Sequence, residues 1–398
     1  MDLLVLDTIH GGTLLGDELA LRGHRVETVD VYRGNGAPPD PDSFDYVIAP
    51  VHLDPGHPLL AGAGDRFVSH HEAVGRCLAG HRPRVLVEVT GARGKTTTAF
   101  AVAETMAGAG ILHTSAGTFL YPERRMLWRR SITPAQVLPV ARAAAALGGW
   151  CVAEESLGVT GAGDLAVLTS GDDYACAAGA RSALACKLAS TARAPRLLVA
   201  DGIQTDHPAL FRSGNLAPCD AGTCAGPGGA ISNQLAALPA YRNAIQLAAA
   251  AAGLLGSDAS RLATMGPVPG RLAARSDAGR TIVDDANSGT TRLTACEAAA
   301  YARILAPGMP LSLVVGEEHR AVCDGFPPGD VAAAVVDVDP GLAVIVGSPA
   351  LRTAALEDLR ERGWTGLHLE AGTLAAGRMA AVGAGGGGAI VLAVKTWR

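Results

Sequence analysis

A glycine-rich segment over residues 90–97, TGARGKTT, has the residue types and spacing of a phosphate-binding loop. It follows the apolar, β-rich run RVLVEVTG and precedes a predicted helix over 96–108, as such a loop requires. Glycines let the backbone wrap phosphate oxygens, Lys95 can reach the terminal phosphates, and the Thr96 hydroxyl can bind Mg²⁺. The residues predicted to bind nucleotide here are Gly91, Arg93, Gly94, Lys95, Thr96 and Thr97. Val89 stands where the longer form of the motif has its first glycine.

Two further polar residues lie where chemistry is expected. Glu154 ends the apolar run WCVAE, and open α/β sheets carry ligand-binding groups at the carboxyl ends of their strands. Lys187 falls on a predicted helix over 178–190, after the acidic pair Asp172 and Asp173. By residue type alone, Glu154 is also compatible with a helix cap or a surface carboxylate, and Lys187 with a solvated helix lysine.

A separate set of histidines follows predicted strands near the start of the chain. His10 and Gly11 come after the run LLVLD, and His52, Asp54 and His57 come after FDYVIAPV. Strand ends of this kind face a crevice in α/β folds, so His10, Gly11, His52 and His57 are candidates for contact with an acidic substrate. Surface-loop histidines are the alternative.

Strands and helices alternate along the whole chain, which predicts an α/β fold with parallel sheets. The 398 residues exceed one ordinary domain, and we expect three, over 1–82, 83–268 and 269–398. The segment over 214–232 is predicted to be irregular. Helices are also predicted over 135–147, 240–255, 290–305, 350–362 and 372–382.

Composition excludes several classes of protein. A net charge of -5 gives no electrostatic case for nucleic acid or an anionic membrane surface, and no apolar run is long enough to span a bilayer. The eight cysteines include no CxxC pair, which favours a reducing cytoplasm and gives little support to a metal or disulfide role at Cys219 and Cys224. Only three of the 33 basic residues are lysines (Lys95, Lys187 and Lys395), so a retained lysine suggests a need for a primary amine.

The shortened loop resembles that of the Mur ligases and folylpolyglutamate synthetases, and the family's other landmarks follow in order. They are SITP over 131–134, VAEES over 152–156, LTS and DD over 168–173, RNAIQ over 242–246, PGR over 269–271, VDDANS over 283–288 and VK over 394–395. Apart from the loop, none of these segments is specific to the family by itself. Their occurrence in the family's order and at family-like spacing is strong evidence for the resemblance.

This resemblance implies a three-domain Mur ligase architecture: a Rossmann-like N-terminal domain, a central P-loop ATPase domain and a C-terminal Rossmann-like domain. It also implies ATP and Mg²⁺, with activation of a carboxylate as an acyl phosphate. Its implied metal-binding residues are Thr96, Glu154, Asp173 and a carbamylated Lys187, with Lys95, Glu154 and Lys187 catalytic. Its implied nucleotide-binding residues in the later segments are Asn243, Arg271, Asp284 and Asp285, and Lys395 is implied near the substrate. Asp173 replaces the family's histidine, which substitutes a hard oxygen ligand still suited to Mg²⁺.

Within the family, the HGG and HLDPGHP segments, with ESLGVTG and GDDYACAAG, resemble those of ligases that act on a nickel tetrapyrrole. That resemblance implies a nickel tetrapyrrole carboxylate as the small-molecule substrate and carbon–carbon ring closure as the reaction. An amide-forming ligase that adds an amino acid to a carboxylate is the main alternative. A nucleotide-binding regulator that hydrolyses ATP without ligation is the other. The sequence does not define the oligomeric state.

Overall fold

The computed structural model describes residues 1–33, 38–80, 82–269, 271–318, 325–384 and 388–396. The chain forms two compact units, one of residues 1–237 with 241–265 and one of residues 238–240 with 266–398. In the described part of the chain, no helix has both the length and the apolar character needed to cross a membrane.

The first unit begins with a parallel four-stranded sheet in the order β2-β1-β3-β4. Its strands and helices, in chain order, are β1 Asp2–Leu6, α1 Gly12–Leu21, β2 Arg25–Val29, β3 Tyr46–Ala49, α2 Pro58–Ala61, β4 Phe67–Ser69 and α3 His70–Leu78. The middle strands β1 and β3 are almost wholly buried, as their apolar sequences require in a sheet covered on both faces.

The same unit contains an eight-stranded sheet in the order β14-β13-β10-β5-β9-β6-β7-β8, which is parallel except for the meander β6-β7-β8. Two small hairpins, β11-β12 and β15-β16, lie outside it. The elements are β5 Val85–Thr90, α4 Lys95–Thr105, β6 Gly110–Thr114, β7 Gly117–Tyr121, β8 Arg125–Trp128, α5 Val137–Ala146, β9 Trp150–Glu154, β10 Leu165–Leu168, β11 Ala175–Cys176, β12 Arg181–Ser182, α6 Ala183–Thr191, β13 Leu197–Val199, β14 Leu210–Arg212, α7 Ser213–Leu216, β15 Thr223–Gly226, β16 Gly229–Ser232 and α8 Pro239–Leu255.

One hydrophobic core joins the four-stranded sheet to the eight-stranded sheet. Leu15 of α1 and Val74 of α3 belong to the same buried cluster as Leu86 of β5 and Leu138 of α5. The division at residue 82 therefore does not separate two hydrophobic cores, and it stays a prediction.

The second unit has a six-stranded sheet in the order β17-β18-β22-β19-β20-β21, in which only β17 is antiparallel to its neighbour. The elements are β17 Ala273–Asp277, β18 Arg280–Asp284, α9 Arg292–Leu305, β19 Leu311–Glu317, α10 Pro328–Val338, β20 Leu342–Val346, α11 Pro349–Glu361, β21 Leu367–Ala371, α12 Leu374–Gly383 and β22 Ala389–Lys395. The parallel α/β architecture is as predicted.

Two local predictions were wrong. The segment over 214–232 contains most of α7 and the hairpin β15-β16. A disulfide joins Cys219 to Cys224, and the backbones of these two residues also pair in an antiparallel β-bridge. The helix predicted over 178–190 begins only at Ala183, because the hairpin β11-β12 occupies the preceding residues.

Candidate functional site

The glycine-rich loop connects β5 to α4 in the predicted way. β5 ends at Thr90 and α4 begins at Lys95, with Gly94 at φ 79° as its N-cap. Gly91 has φ 148°, and a Cβ there would overlap the Thr169 hydroxyl. Both glycines therefore allow backbone conformations and an approach that a side chain would prevent.

The segment that follows β10 holds this loop in place. The Ser170 hydroxyl accepts hydrogen bonds from the backbone N–H groups of Ala92 and Arg93, each at 3.1 Å. The Arg93 guanidinium pairs with Asp172, and its hydrogen bond holds the pKa of that carboxyl below its usual range. The Asn243 side chain, on α8, donates to the Thr169 carbonyl at 3.0 Å.

Glu154 lies at the mouth of the loop and touches its threonine. The Thr96 hydroxyl donates to the Glu154 carboxylate at 2.9 Å, and the backbone N–H of Ser115 donates to the same carboxylate at 3.0 Å. Glu154 is only 2% exposed, because it ends the central strand β9 beside β5. A buried carboxylate beside a hydroxyl is a set of hard oxygen donors, and these residues fit Mg²⁺.

The adjacent carboxyl, Glu155, belongs to a different environment. It is fully buried, and burial followed by the nearby Glu88 carboxylate raises its pKa well above the usual range. Glu88 itself accepts backbone hydrogen bonds from Thr160, Gly161 and Gly163. The neutral form of Glu155 is therefore favoured, and Glu154 is the acid that contacts the loop.

Lys187 is an unusual lysine because it is completely buried on α6. Within the described residues its Nζ has no hydrogen-bond partner, and it lies 4.7 Å from the centre of the Tyr174 ring. Burial and the charge of Lys95 lower its pKa to about 8. Because the charge of Lys95 contributes to this lowered pKa, the Lys187 amine lies close enough to the loop to be affected by its charge.

Asp173 is exposed, and its carboxylate is held by protein donors. It accepts from the backbone N–H groups of Tyr174 and Leu184 and from the Ser182 hydroxyl, at 2.7–2.8 Å. These bonds lower its pKa and fix the start of α6. Its role as a metal ligand stays a prediction.

His113 and Ser115 are site residues that the sequence did not indicate. His113 is fully buried in β6, contacts the Thr118 hydroxyl at 2.8 Å and the Ser131 carbonyl at 3.1 Å, and has its pKa lowered by burial. The Glu154 charge acts on it, so it lies near the carboxylate. Neither residue belongs to a motif; only the pairing of β6 with β9 brings them to the site.

The candidate residues of the four-stranded sheet separate into two groups. His10 and His52 meet at ring centroids 4.5 Å apart, beside the buried Asp7. His57 instead caps α2, where its Nδ1 accepts from the Leu59 N–H at 3.3 Å. Gly11, at φ 97°, packs so closely that a Cβ there would lie 3.0 Å from the Thr133 hydroxyl.

Neighbours of these histidines contact the part of the chain after residue 82 at two places. Gly11 touches the segment over 131–135, whose Ser131 carbonyl contacts His113 beside Glu154. On the other side, Arg181 of β12 donates to the carbonyl of Val51, the residue before His52.

In the second unit, the predicted nucleotide-binding residues lie together at the end of β18. Asp284 accepts from the Ala286 N–H and pairs with Arg275 at 3.5 Å. Asp285 is buried, and burial raises its pKa to about 7 although the charge of Arg271 opposes the shift. Lys395 ends β22, which pairs with β18; its Nζ lies 3.4 Å from the Gly325 carbonyl.

The chain is similar in sequence to a characterised class of enzyme. Residues 274–396 match the family model described as the C-terminal domain of coenzyme F430 synthetase CfbE. The coenzyme F(430) synthetase of Methanosarcina acetivorans is 31% identical over 417 residues, which cover 83% of this chain and 86% of that protein.

Solved structures show the same fold at low sequence identity. The UDP-N-acetylmuramate–alanine ligase MurC of Thermotoga maritima aligns with a TM-score of 0.55 at 13% identity, covering 99% of this chain and 95% of that one. FolC of E. coli, in complex with DHPP and ADP, aligns with a TM-score of 0.57 at 15% identity, covering 82% and 89%. The pseudomurein peptide ligase type C of Methanothermus fervidus aligns with a TM-score of 0.52 at 13% identity, covering 99% and 97%.

Proposed function

The chain belongs to the coenzyme F430 synthetase family, and on that premise we propose that it is an ATP-dependent ligase that activates a substrate carboxylate as an acyl phosphate. The observation that carries the proposal is the contact between the Thr96 hydroxyl and the Glu154 carboxylate at 2.9 Å. It joins the phosphate-binding loop to a buried acid on the neighbouring strand, which is the arrangement that ATP-dependent phosphoryl transfer needs.

The chain's own residues bind and orient the phosphates. The backbone N–H groups of the loop and the N-terminus of α4 bind phosphate oxygens, and the Lys95 ammonium neutralises charge that develops on the transferred group. Thr96 and Glu154 would hold Mg²⁺, which would neutralise charge on the phosphate oxygens. Asn243 holds the Thr169 carbonyl beside the loop and supports the nucleotide site from α8.

The proposed substrate is the nickel tetrapyrrole seco-F430, and the product is coenzyme F430. A propionate oxygen of the substrate takes the γ-phosphoryl group of ATP, which releases ADP. A ring carbon then attacks the acyl carbon; the C–C bond forms, the carbon loses its proton, and phosphate leaves with the electron pair of the C–O bond. Since the nucleophile belongs to the substrate, no Ser or Cys nucleophile is needed from the protein.

Lys187 is proposed to act as a carbamate. Its buried amine adds to CO₂ with loss of a proton, and a pKa of about 8 gives the neutral form that this addition requires. The anion so formed would lie near the positive charge of Lys95 and help to hold a metal ion with Asp173.

The remaining sites extend the proposal. Arg271, Asp284 and Asp285 are proposed to bind nucleotide, and Lys395 to lie near the substrate. His10, Gly11, His52 and His57 are proposed to contact the substrate, since Gly11 packs against Thr133 of the central segment. The functional division into residues 1–82, 83–268 and 269–398 is part of the same proposal.

The decisive experiment is anaerobic incubation of the protein with ATP, Mg²⁺ and seco-F430. We expect ADP and phosphate in equal amounts, a change in the tetrapyrrole absorption spectrum, and a product that has lost one water by mass. Hydroxylamine added during turnover should trap the activated carboxylate as a hydroxamate. Lys95→Ala protein is the matched control and should give none of these signals.

Two other outcomes would replace the proposal. Product that contains an added amino acid, with no ring closure in its absence, would assign an amide-forming ligase. ATP turnover that is independent of any carboxylate would assign a nucleotide-hydrolysing regulator.

A further inference from the structure

Three potential metal-binding atoms converge at the carboxyl ends of β1 and β3. Asp7, His10 and His52 each contribute one of these atoms, and the three atoms lie within 4.8 Å of one another. The His10 nitrogen is 2.7 Å from the Asp7 oxygen and 3.3 Å from the His52 nitrogen. The strands are adjacent and parallel, so their ends bring the two loops to one point.

Hydrogen bonding within the three residues leaves this cluster incompletely satisfied. If His10 Nδ1 carries a proton and donates it to Asp7, the nearby His52 nitrogen has only a share of that one proton. If His52 instead carries a proton and donates it to His10, the lone pair of His10 Nδ1 accepts that hydrogen bond. His10 Nδ1 then has no proton to donate to the Asp7 oxygen 2.7 Å away. A cation among the three atoms would satisfy all of them at once.

A buried polar atom without a partner in the described residues lies beside the cluster. His70, the first residue of α3, is fully buried, and its Nε2 donates to the Leu6 carbonyl at 3.1 Å. Its Nδ1 has no partner in the described part of the chain. Leu6 directly precedes Asp7 in the chain, so this ring borders the cluster.

We propose that Asp7, His10 and His52 bind one divalent transition-metal ion of the borderline class: Ni²⁺, Zn²⁺ or Co²⁺. Two imidazoles and one carboxylate are the donors these ions prefer, whereas Mg²⁺ favours oxygen ligands. Bond lengths of about 2.1 Å put neighbouring ligand atoms about 3.0–3.4 Å apart. The His10 nitrogen, at 2.7 Å from the Asp7 oxygen and 3.3 Å from the His52 nitrogen, is already close to that spacing.

The surroundings of the cluster suit such an ion. The second oxygen of Asp7 accepts from the backbone N–H groups of Ile9 and His10 at 2.6 and 2.9 Å, which orients the carboxylate. His10 and His52 are partly exposed, and three protein ligands leave coordination positions open to a carboxylate oxygen of a bound molecule.

The test is metal binding by the whole chain, with neither ATP nor tetrapyrrole present. Protein stripped with a chelator is titrated with Co²⁺ in excess Mg²⁺, which occupies oxygen sites such as Thr96 and Glu154. Calorimetry gives the stoichiometry, and the visible absorption of Co²⁺ shows whether its ligands are nitrogen and oxygen or cysteine sulfur. We expect one ion per chain with a nitrogen and oxygen spectrum.

Two variants remove one ligand each. Asp7→Asn keeps the acceptor for the Ile9 and His10 N–H groups, and Asn tolerates the φ of 90° at this position. Asp7→Asn and His52→Ala should each weaken Co²⁺ binding by at least about 10²-fold. His368→Ala, at an exposed histidine of β21, is the control and should bind like the wild type.

Two results would overturn the proposal. One is folded wild-type protein, checked by circular dichroism, that binds no Co²⁺ in excess Mg²⁺. The other is stoichiometric binding that persists unchanged in both variants. Because no nucleotide or tetrapyrrole is used, these results are independent of whether the chain is a ligase.

Discussion

Single residues decide the chemistry at the mouth of the loop, where two adjacent acids have opposite properties. Glu154 points to the Thr96 hydroxyl and the Ser115 N–H, whereas Glu155 lies beside the Glu88 carboxylate. Only the first is available to a cation. The sequence motif alone did not separate their environments, since both acids end the same apolar run.

Lys95→Ala should lower ATP turnover by roughly 10³-fold, because it removes the ammonium that faces charge developing on the transferred phosphoryl group. The variant should fold normally, since Lys95 is partly exposed at the start of α4. Steady-state ADP release measures the change, and near-normal turnover in a folded variant would refute the assignment of the loop.

Glu154→Gln should act mainly through Mg²⁺. The amide keeps the size of the side chain but loses the charge that holds a hard cation, so turnover at limiting Mg²⁺ should fall by at least about 10-fold. Raising the Mg²⁺ concentration should restore part of it. Unchanged activity across the Mg²⁺ titration would show that Glu154 is not a ligand.

Lys187→Ala should be inactive, and short carboxylic acids should restore some activity by replacing the carbamate. Lys187→Arg should also fail, because guanidinium keeps its charge and does not take up CO₂. In the wild type, the neutral amine becomes more abundant as the pH rises towards its pKa of about 8. At a fixed concentration of dissolved CO₂, reactivation of CO₂-depleted protein should therefore quicken over that range. Full activity of the Arg variant would exclude the carbamate.

At the scale of elements, the loop depends on a neighbouring turn as well as on its own glycines. In the segment after β10, the Ser170 hydroxyl accepts hydrogen bonds from two loop N–H groups. The Thr169 hydroxyl in the same segment occupies the space that a side chain at Gly91 would need. The loop's backbone is therefore shaped by residues about 75 positions away in the chain.

Gly91→Ala should reduce ATP turnover by about 10²-fold and destabilise the fold by roughly 1–3 kcal/mol, since the new Cβ would overlap Thr169 at a strained φ. Gly253→Ala is the matched control: it lies in α8 with open space around it, and alanine there should stabilise by up to about 1 kcal/mol. Urea unfolding and ADP release compare the two. Equal behaviour would mean that the loop can move away from Thr169.

The elements that the sequence predicted well are those with a local signal. The loop, strand β9 up to Glu154 and the long helix α8 follow from glycine spacing, apolar runs and alanine-rich periodicity. The hairpins β11-β12 and β15-β16 were missed, because strands of two to four residues are defined by their pairing partners. His113 and Asp7 were missed for the same kind of reason: their neighbours are brought together by sheet order, which no nearby residue specifies.

At the scale of the whole molecule, burial of ionisable groups links stability to pH. Glu155 has a pKa raised well above its ordinary value in the folded protein, by burial and then by Glu88. A raised folded pKa gives stability that is fully present below the unfolded pKa and is lost as the pH rises towards the folded pKa.

Glu155→Gln should therefore become progressively more stable than the wild type as the pH rises above about 4.5, the ordinary pKa of a glutamate, because the amide resembles the neutral acid and cannot ionise. Hydrogen exchange in peptides that cover β5 and β9 measures this in the first unit alone. Glu361→Gln, at an exposed acid of α11, is the control and should show no such trend. A difference independent of pH would mean that the pKa of Glu155 is the same in the folded and unfolded protein.

The hydrophobic core that joins the four-stranded and eight-stranded sheets has a consequence for how such enzymes diversify. Leu15 and Val74 share their core with Leu86 and Leu138. The first 80 residues therefore cannot be transferred to another protein without exposing or mismatching part of that core. Recombination that exchanged this part between relatives would leave mismatched apolar surfaces unless α5 and the inner face of β5 were inherited with it. New substrate preferences should therefore arise more readily by point changes in the loops after β1 and β3 than by exchange of the whole segment.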